Sequence, residues 1–218
     1  MISIILIEPQ FPGNIGAVAR SMKNFNFEQL ILVNPKCKIN EEARNRAKHA
    51  NDILDNAVVE DNFPKMDYLI GTSCKVARDY NIPRNSITPK ELKKILPKKG
   101  GIGLVFGRES DGLTNDELDK CDFLVTIPTT NKYASMNLSH AVNILLYELS
   151  DLKNDITPIS EIEKKQLMKM INKSMDKMNF TTEEKKHTQN LVWKKIIGKS
   201  FMSKREAYAL MGFFKKLF

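Results

Sequence analysis

Three stretches of this chain place polar side chains where chemistry can use them, each directly after a short apolar run. In the first, Glu8-Pro-Gln-Phe-Pro-Gly-Asn-Ile-Gly16, prolines stop a strand and Gly13 and Gly16 allow a tight turn into a helix, from which Arg20 projects about one and a half turns later. In the second, the run Leu104-Val-Phe106 breaks at Gly107 into a polar loop holding Glu109. In the third, Thr126-Ile127 leads through Ala134, Ser135, Met136 and Asn137 into another helical pattern. Ligands of open α/β sheets bind outside the carboxyl ends of the strands, so three such loops can line one pocket. Glycine and proline after strands are also ordinary loop chemistry, and Asn137 and Ser135 are preferred helix caps.

Several commoner chemistries are excluded. Gly198-Lys-Ser200 ends like a phosphate-binding loop, but Trp193 stands where that loop needs glycine, and no strand precedes it. Gly13-Asn-Ile-Gly16 is not the dinucleotide fingerprint, and Val33-Asn34-Pro35 replaces the acidic residue expected after a second strand. The histidines His49, His140 and His187 lack metal-ligand spacing, and Gly107 to Gly112 lacks the nucleophile-elbow pattern, so no metal is expected. Cys37, Cys74 and Cys121 are odd in number and far apart, which suits a reducing compartment and neither a zinc site nor a disulfide framework.

The elements that must position these loops read as alternating strands and helices, the pattern of βαβ units around a mainly parallel sheet with helices on both faces. Strands are expected at Ile2–Ile7, Leu30–Val33, Ala57–Val59, Tyr68–Gly71, Ile102–Phe106 and Phe123–Ile127. Helices are expected at Ile15–Asn26, Glu41–Leu54, Lys90–Leu96, Asn115–Lys120 and Asn137–Leu149. Thr88-x-x-Glu91 and Thr114-x-x-Glu117 read as capping boxes. Past the polar stretch around Thr157-Pro158, three more boxes at Ser160, Thr181 and Ser203 announce three tail helices. Their small core would draw on Ile162, Leu167, Met170, Ile171, Leu191, Val192, Ile196, Leu210, Phe213, Phe214 and Leu217. This divides the 218 residues into a domain over 1–155 and a helical one over 156–218.

Charge separates the same two parts. The net charge is +8; residues 1–160 hold 20 basic and 20 acidic side chains, whereas 161–218 hold 14 and 6, so the whole excess lies in the tail. A polyanionic partner such as RNA is implied, although lysines also serve simply to solvate helices. No stretch approaches the ~18 apolar residues of a membrane span, and the apolar opening is short, so a cytoplasmic protein is expected.

Taken together, P-G-N-I-G-A-V-A-R-S-M-K-N-F (12–25) with L-I-L-V-N-P (30–35), L-V-F-G-R-E-S-D-G-L-T-N (104–115) and Y-A-S-M-N-L-S-H-A-V (133–142) resemble the three motifs of SPOUT-class RNA 2′-O-methyltransferases, most narrowly the TrmJ type acting at position 32 of the tRNA anticodon loop. The resemblance implies a deep trefoil knot, which general topology rules would discount, and a homodimer whose active site draws on both subunits. It implies S-adenosylmethionine bound by backbone groups of Thr72, Ser73, Cys74, Gly107, Ile127, Ala134, Ser135 and Met136. The methyl would pass in line to a tRNA ribose 2′-hydroxyl without a metal, leaving S-adenosylhomocysteine. Arg20 would be central, with Asn14, Glu109, Ser135 and Asn137 shaping the pocket. A guanidinium suits a phosphate anchor and oxygen positioner; its pKa above about 12 suits a general base poorly. Two departures stand out: Asn26 replaces a common glycine, tolerable because Asn enters left-handed backbone, and Ala134 replaces a frequent polar residue. Methylation of another tRNA or rRNA ribose, and a non-catalytic RNA binder of the same fold, are the alternatives.

Overall fold

The computed structural model describes residues 2–74, 86–130, 132–152 and 155–217. Seven strands pair in parallel: β1 (Ile2–Ile7), β2 (Gln29–Val33), β3 (Val58–Glu60), β4 (Tyr68–Thr72), β5 (Ser86–Ile87), β6 (Ile102–Phe106) and β7 (Phe123–Val125). Their order across the sheet is β3-β2-β1-β6-β4-β7-β5. The central strands are near-continuous apolar runs because both faces are covered, as parallel sheets require.

Alternate residues sort onto the two faces. Ile4, Leu6, Leu32, Ile70, Leu104 and Phe106 face α1 (Pro12–Asn24), α2 (Glu41–Ala47), α3 (Asn51–Asp55), α4 (Pro89–Ile95) and α6 (Leu138–Leu149). Ile5, Ile7, Val33, Val105 and Leu124 face the opposite way, against Leu113, Cys121 and Leu118 of α5 (Asn115–Lys120). The expected α/β sheet with helices on both faces is thus present. A trefoil knot would involve the β4–β5 connection, residues 75–85, which lies outside the described residues.

Several boundaries differ from the sequence reading for identifiable reasons. Helix α1 begins at Pro12 rather than Ile15, since proline suits the first helical position. The helix expected over 41–54 is broken: Lys48 takes φ 55° and a 3-10 turn, Lys48–Ala50, separates α2 from α3. Strand β5 has two residues, too few for any periodicity, and exists through pairing with β7. Asn26 does adopt the left-handed region, at φ 61°.

The tail forms α7 (Glu161–Met175), α8 (Glu183–Ser200) and α9 (Lys204–Lys215). Ser160 and Ser203 close capping boxes as read, but Thr182, not Thr181, caps α8 by accepting the Lys185 N–H. The tail core also shifts from the expected set. Leu167, Ile171, Met175, Ile197, Met202 and Phe214 are buried, whereas Ile162, Ile196, Phe213 and Leu217 are exposed.

The tail is keyed into the sheet. Lys164 donates to Asp122 at 2.6 Å with both side chains nearly buried, and Asp122 also accepts the Leu69 N–H at 2.8 Å. The Lys164 ammonium lies 4.1 Å from the Tyr68 ring centroid. Gly198 of α8 packs so closely that a Cβ there would stand 2.8 Å from that of Asp122. Phe201, left-handed at φ 42°, buries its ring 4.6 Å from Tyr68 and 5.9 Å from Phe123. Among the described residues no helix is long and apolar enough to cross a membrane.

Candidate active site

Because the sheet is parallel, every carboxyl end lies along one edge, and β6, β4 and β7 are neighbours there. The loops leaving them enclose a cavity of about 280 Å³. Thr72, Ser73 and Cys74 line it after β4, Gly107 and Glu109 after β6, and Ile127, Ala134, Ser135 and Met136 after β7. Apolar walls come from Leu113, Val125, Leu138 and Ala141. The volume lies near the lower end of the range for small-molecule sites, about 300 Å³.

The β6 loop owes its shape to backbone economy at Gly107 and to one arginine. A Cβ on Gly107 would fall 2.1 Å from the carbonyl carbon of Gly112, because the loop folds back on itself there. Arg108 and Gly112 exchange backbone hydrogen bonds of 3.2 and 3.0 Å, with Gly112 at φ 71°. The Arg108 side chain fastens this turn to both neighbours. Its Nε donates to Glu8 Oε2 at 2.8 Å, at the end of β1, and its fork donates to Glu117 of α5 at 2.8 and 3.0 Å. Hydrogen bonding to Glu117, opposed by burial and reinforced by Glu8, raises the guanidinium pKa above arginine's usual value. Glu8 lies below the usual carboxylate range through Lys36 and then Arg108. Burial pushes Glu117 up, yet hydrogen bonds from Arg108 and the Thr114 N–H leave it lowered.

With the turn fixed, Glu109 reaches the β1 loop. Its Oε2 accepts the Gln10 N–H at 3.1 Å and its Oε1 accepts the Asn14 amide at 2.9 Å. Asn14 Oδ1 accepts from Asn137 Nδ2 at 3.1 Å, and Asn137 Oδ1 caps α6 by accepting the Ser139 N–H and hydroxyl at 2.9 and 2.7 Å. A continuous chain of hydrogen bonds therefore joins the β1, β6 and β7 loops. The β1 loop, expected in the pocket, borders the neighbouring depression instead, and the β4 loop takes its place in the cavity wall. Beside the cavity, Asn14, Glu109, Ser135, Met136 and Asn137 line an open depression of about 700 Å³.

Arg20 stands apart. It is exposed and lines a separate depression with Glu41, Glu42, Asn45, Arg46 and Lys48, so a single chain does not bring its guanidinium to the cavity. That depression shares Glu42 and Arg46 with the one holding Asn14 and Asn137. From the sequence, Arg108 and Glu8 stand inside motifs with no role assigned to either, and Glu117 reads only as a helix cap; their ion-pair cluster is seen only in the structure. Among the described residues no group of three His, Cys, Asp or Glu side chains is placed to hold a metal ion. Cys121 is buried, and burial pushes its thiol up to about 12.

The cavity thus lies outside the carboxyl ends of a parallel sheet, where enzymes of this fold class bind their ligands. The chain matches the SpoU rRNA Methylase family over residues 1–147; it belongs to that family and is an RNA methyltransferase. It is 45% identical over 227 residues to the tRNA (cytidine-2′-O-)-methyltransferase TrmJ of Methanocaldococcus jannaschii, spanning 99% of both chains. The protein of the same name from Sulfolobus acidocaldarius is 33% identical over 221 residues, covering 100% of this chain and 93% of that one. Among solved structures, TrmJ from Z. mobilis ZM4 superposes with a TM-score of 0.71 at 27% identity, over 100% of this chain and 99% of that one.

Proposed function

We propose that the protein is an S-adenosylmethionine-dependent tRNA ribose 2′-O-methyltransferase acting at position 32 of the anticodon loop, as a knotted homodimer in the cytoplasm. The observation that carries this reading is the convergence of the β4, β6 and β7 loops on one cavity, with the β1 loop tied alongside it by the Glu109–Asn14–Asn137 hydrogen bonds. The names of the two full-length relatives favour cytidine as the acceptor.

The cavity's donor set suits this cofactor. An adenine needs apolar walls and a few backbone partners, which Leu113, Val125, Leu138 and the β7 loop offer. Among the described residues, Glu109 and Asp111 are in the lining, and its one guanidinium, Arg108, is committed to Glu8 and Glu117. That balance favours a cationic ligand over a polyphosphate. When bound, the cofactor supplies an electrophilic methyl group on a sulfonium that departs neutral. Thr72, Ser73, Cys74, Gly107, Ile127, Ala134, Ser135 and Met136 hold it, Cys74 through its backbone. The remaining residues align the ribose, and alignment is the larger part of such catalysis. Asn14, Glu109, Ser135 and Asn137 shape the acceptor side. Arg20 of one subunit anchors a phosphate and positions the 2′-oxygen at the cavity of the other, in keeping with its exposure and its distance from its own chain's cavity.

Residues 1–155 form the methyltransferase domain, and residues 156–218, with their excess of lysine, dock the tRNA. Incubation with labelled S-adenosylmethionine and total tRNA, followed by nucleoside mapping, tests the reading: a 2′-O-methylated nucleoside at position 32 supports it. Label in another ribose reassigns the substrate, and no label with intact tRNA binding leaves a non-catalytic RNA binder. Arg20→Ala abolishes turnover while calorimetry with S-adenosylhomocysteine gives nearly unchanged affinity; lost affinity would make Arg20 structural.

A further inference from the structure

Resting on the reading above, we infer that Tyr133 is the stacking platform for the target nucleobase. Its side chain is 79% exposed, more than any other large apolar side chain among the described residues. The backbone beneath it is organised: the Tyr133 N–H donates to the Thr130 carbonyl at 3.2 Å, and Thr129 donates to the Ala134 carbonyl at 3.5 Å. The ring stacks on no aromatic residue among those described. A single exposed aromatic is unremarkable in itself. Its place is not.

Tyr133 lines the open depression of about 700 Å³ and not the donor cavity, and the two spaces share Glu109, Ser135 and Met136. Whatever occupies the depression therefore lies next to the reacting centre. In a ribose methylation the base hangs from the sugar carbon adjoining the one that bears the attacking oxygen, so the base must lie beside that centre as well. A second exposed aromatic, Phe11 at 56%, lines the same depression from the β1 loop. Apart from Gly13, Ala17 and Met136 the remaining lining is polar, including Asn14, Arg46, Asn137 and His140, which matches a nucleoside's donors and acceptors better than the apolar centre of a subunit interface. Enzymes that act on a nucleotide splay it from its neighbours, and an aromatic face replaces the stacking it loses.

The test compares kcat/KM on tRNA with an intact target nucleotide and on the same tRNA carrying there an abasic ribose that keeps its 2′-hydroxyl. On intact tRNA, Tyr133→Ala lowers kcat/KM by roughly tenfold to a hundredfold, the usual range for loss of one base–aromatic stack. Tyr133→Phe, which keeps the ring, restores it to within about threefold. On abasic tRNA the wild type suffers the same loss and Tyr133→Ala adds nothing. S-adenosylhomocysteine affinity stays constant throughout, showing that the variants fold. An alanine penalty that persists undiminished on abasic tRNA, or a shift in sedimentation of Tyr133→Ala toward a smaller species, assigns the ring to another contact and overturns the inference. An active wild type with no difference between tyrosine and alanine removes this inference alone; a wild type inactive on every tRNA removes the proposed function with it.

Discussion

Replacing Arg108 with methionine keeps the stem volume and deletes the guanidinium that pins the β6 loop. The side chain is 16% exposed and its partners Glu117 and Glu8 are 12% and 24% exposed, so both carboxylates are left poorly solvated. A charge-assisted hydrogen bond contributes about 1.5–3 kcal/mol, and breaking one side of a buried pair costs about 3–5 kcal/mol. Discounting Glu8, which keeps Lys36 at 3.0 Å and is the more exposed, a loss of about 3 kcal/mol follows. For a chain of this size that lowers Tm by roughly 6–12 °C. The pH dependence is diagnostic. Glu8 and Glu117 have folded pKa values below the unfolded carboxylate value of 4.5, so their contribution is full above that pH and disappears as pH falls through the folded values. The gap between wild type and Arg108→Met, measured by urea unfolding from pH 7 downward, should therefore narrow below about 4.5. A double-mutant cycle with Glu117→Gln should return a coupling of about 2 kcal/mol. A gap under 1 kcal/mol at pH 7, or one independent of pH, would refute the view of Arg108 as the electrostatic fastening of the loop.

Two glycines should respond oppositely to alanine. Gly16→Ala puts a Cβ 2.0 Å from the Ala43 carbonyl oxygen and should cost about 3 kcal/mol or more, whereas Gly212→Ala in open space on α9 should gain about 0.5–1 kcal/mol, both read from chemical denaturation. Thr182→Ala should destabilise by about 1 kcal/mol while Thr181→Ala changes little; equal effects would contradict the assignment of the α8 cap. Lys164→Met should cost about 2–3 kcal/mol at neutral pH by stranding Asp122. Burial, partly offset by Asp122, holds the Lys164 pKa below 10.5 in the folded state, so the unfolded chain binds more protons in that window and wild-type stability gains there as pH rises. In urea titrations the gap to Lys164→Met should accordingly widen between neutral pH and about 10.5, and a gap that shrinks would reverse the sign of the coupling.

What could be read from the sequence was what local chemistry determines. The capping boxes at Thr88, Thr114, Ser160 and Ser203 involve four consecutive residues each and formed where expected. At the start of α8 the box pattern Thr181-x-x-Glu184 pointed to the wrong threonine: Thr182, with Lys185 three residues on, is the cap. The interruption of α2 at Lys48 leaves no mark, because no glycine or proline announces its positive φ. On α8 the expected tail core failed for a geometric reason. The helix lies between the tail and the sheet, Ile197 and Gly198 are buried while Ile196 faces out, and a helix covered on two sides shows little amphipathic contrast. Thr72, Ser73 and Cys74 after β4 were reached only through the family resemblance, whereas the cavity residues after β6 and β7 were legible as motif positions at strand ends. Arg108 was not, since its partners Glu8 and Glu117 lie 100 and 9 positions away and nothing local singles it out from a solvated arginine.

The ring of Phe201 belongs to the main hydrophobic cluster under the sheet although its backbone follows the tail's second helix. It works as a bung: a shortened chain ending near residue 155 would expose the socket formed by Tyr68 and Phe123, along with Asp122 stripped of its lysine. A designer wishing to graft a foreign RNA-recognition module onto this catalytic scaffold would therefore need to supply a substitute stopper, or splice beyond Phe201 and leave the original one in place.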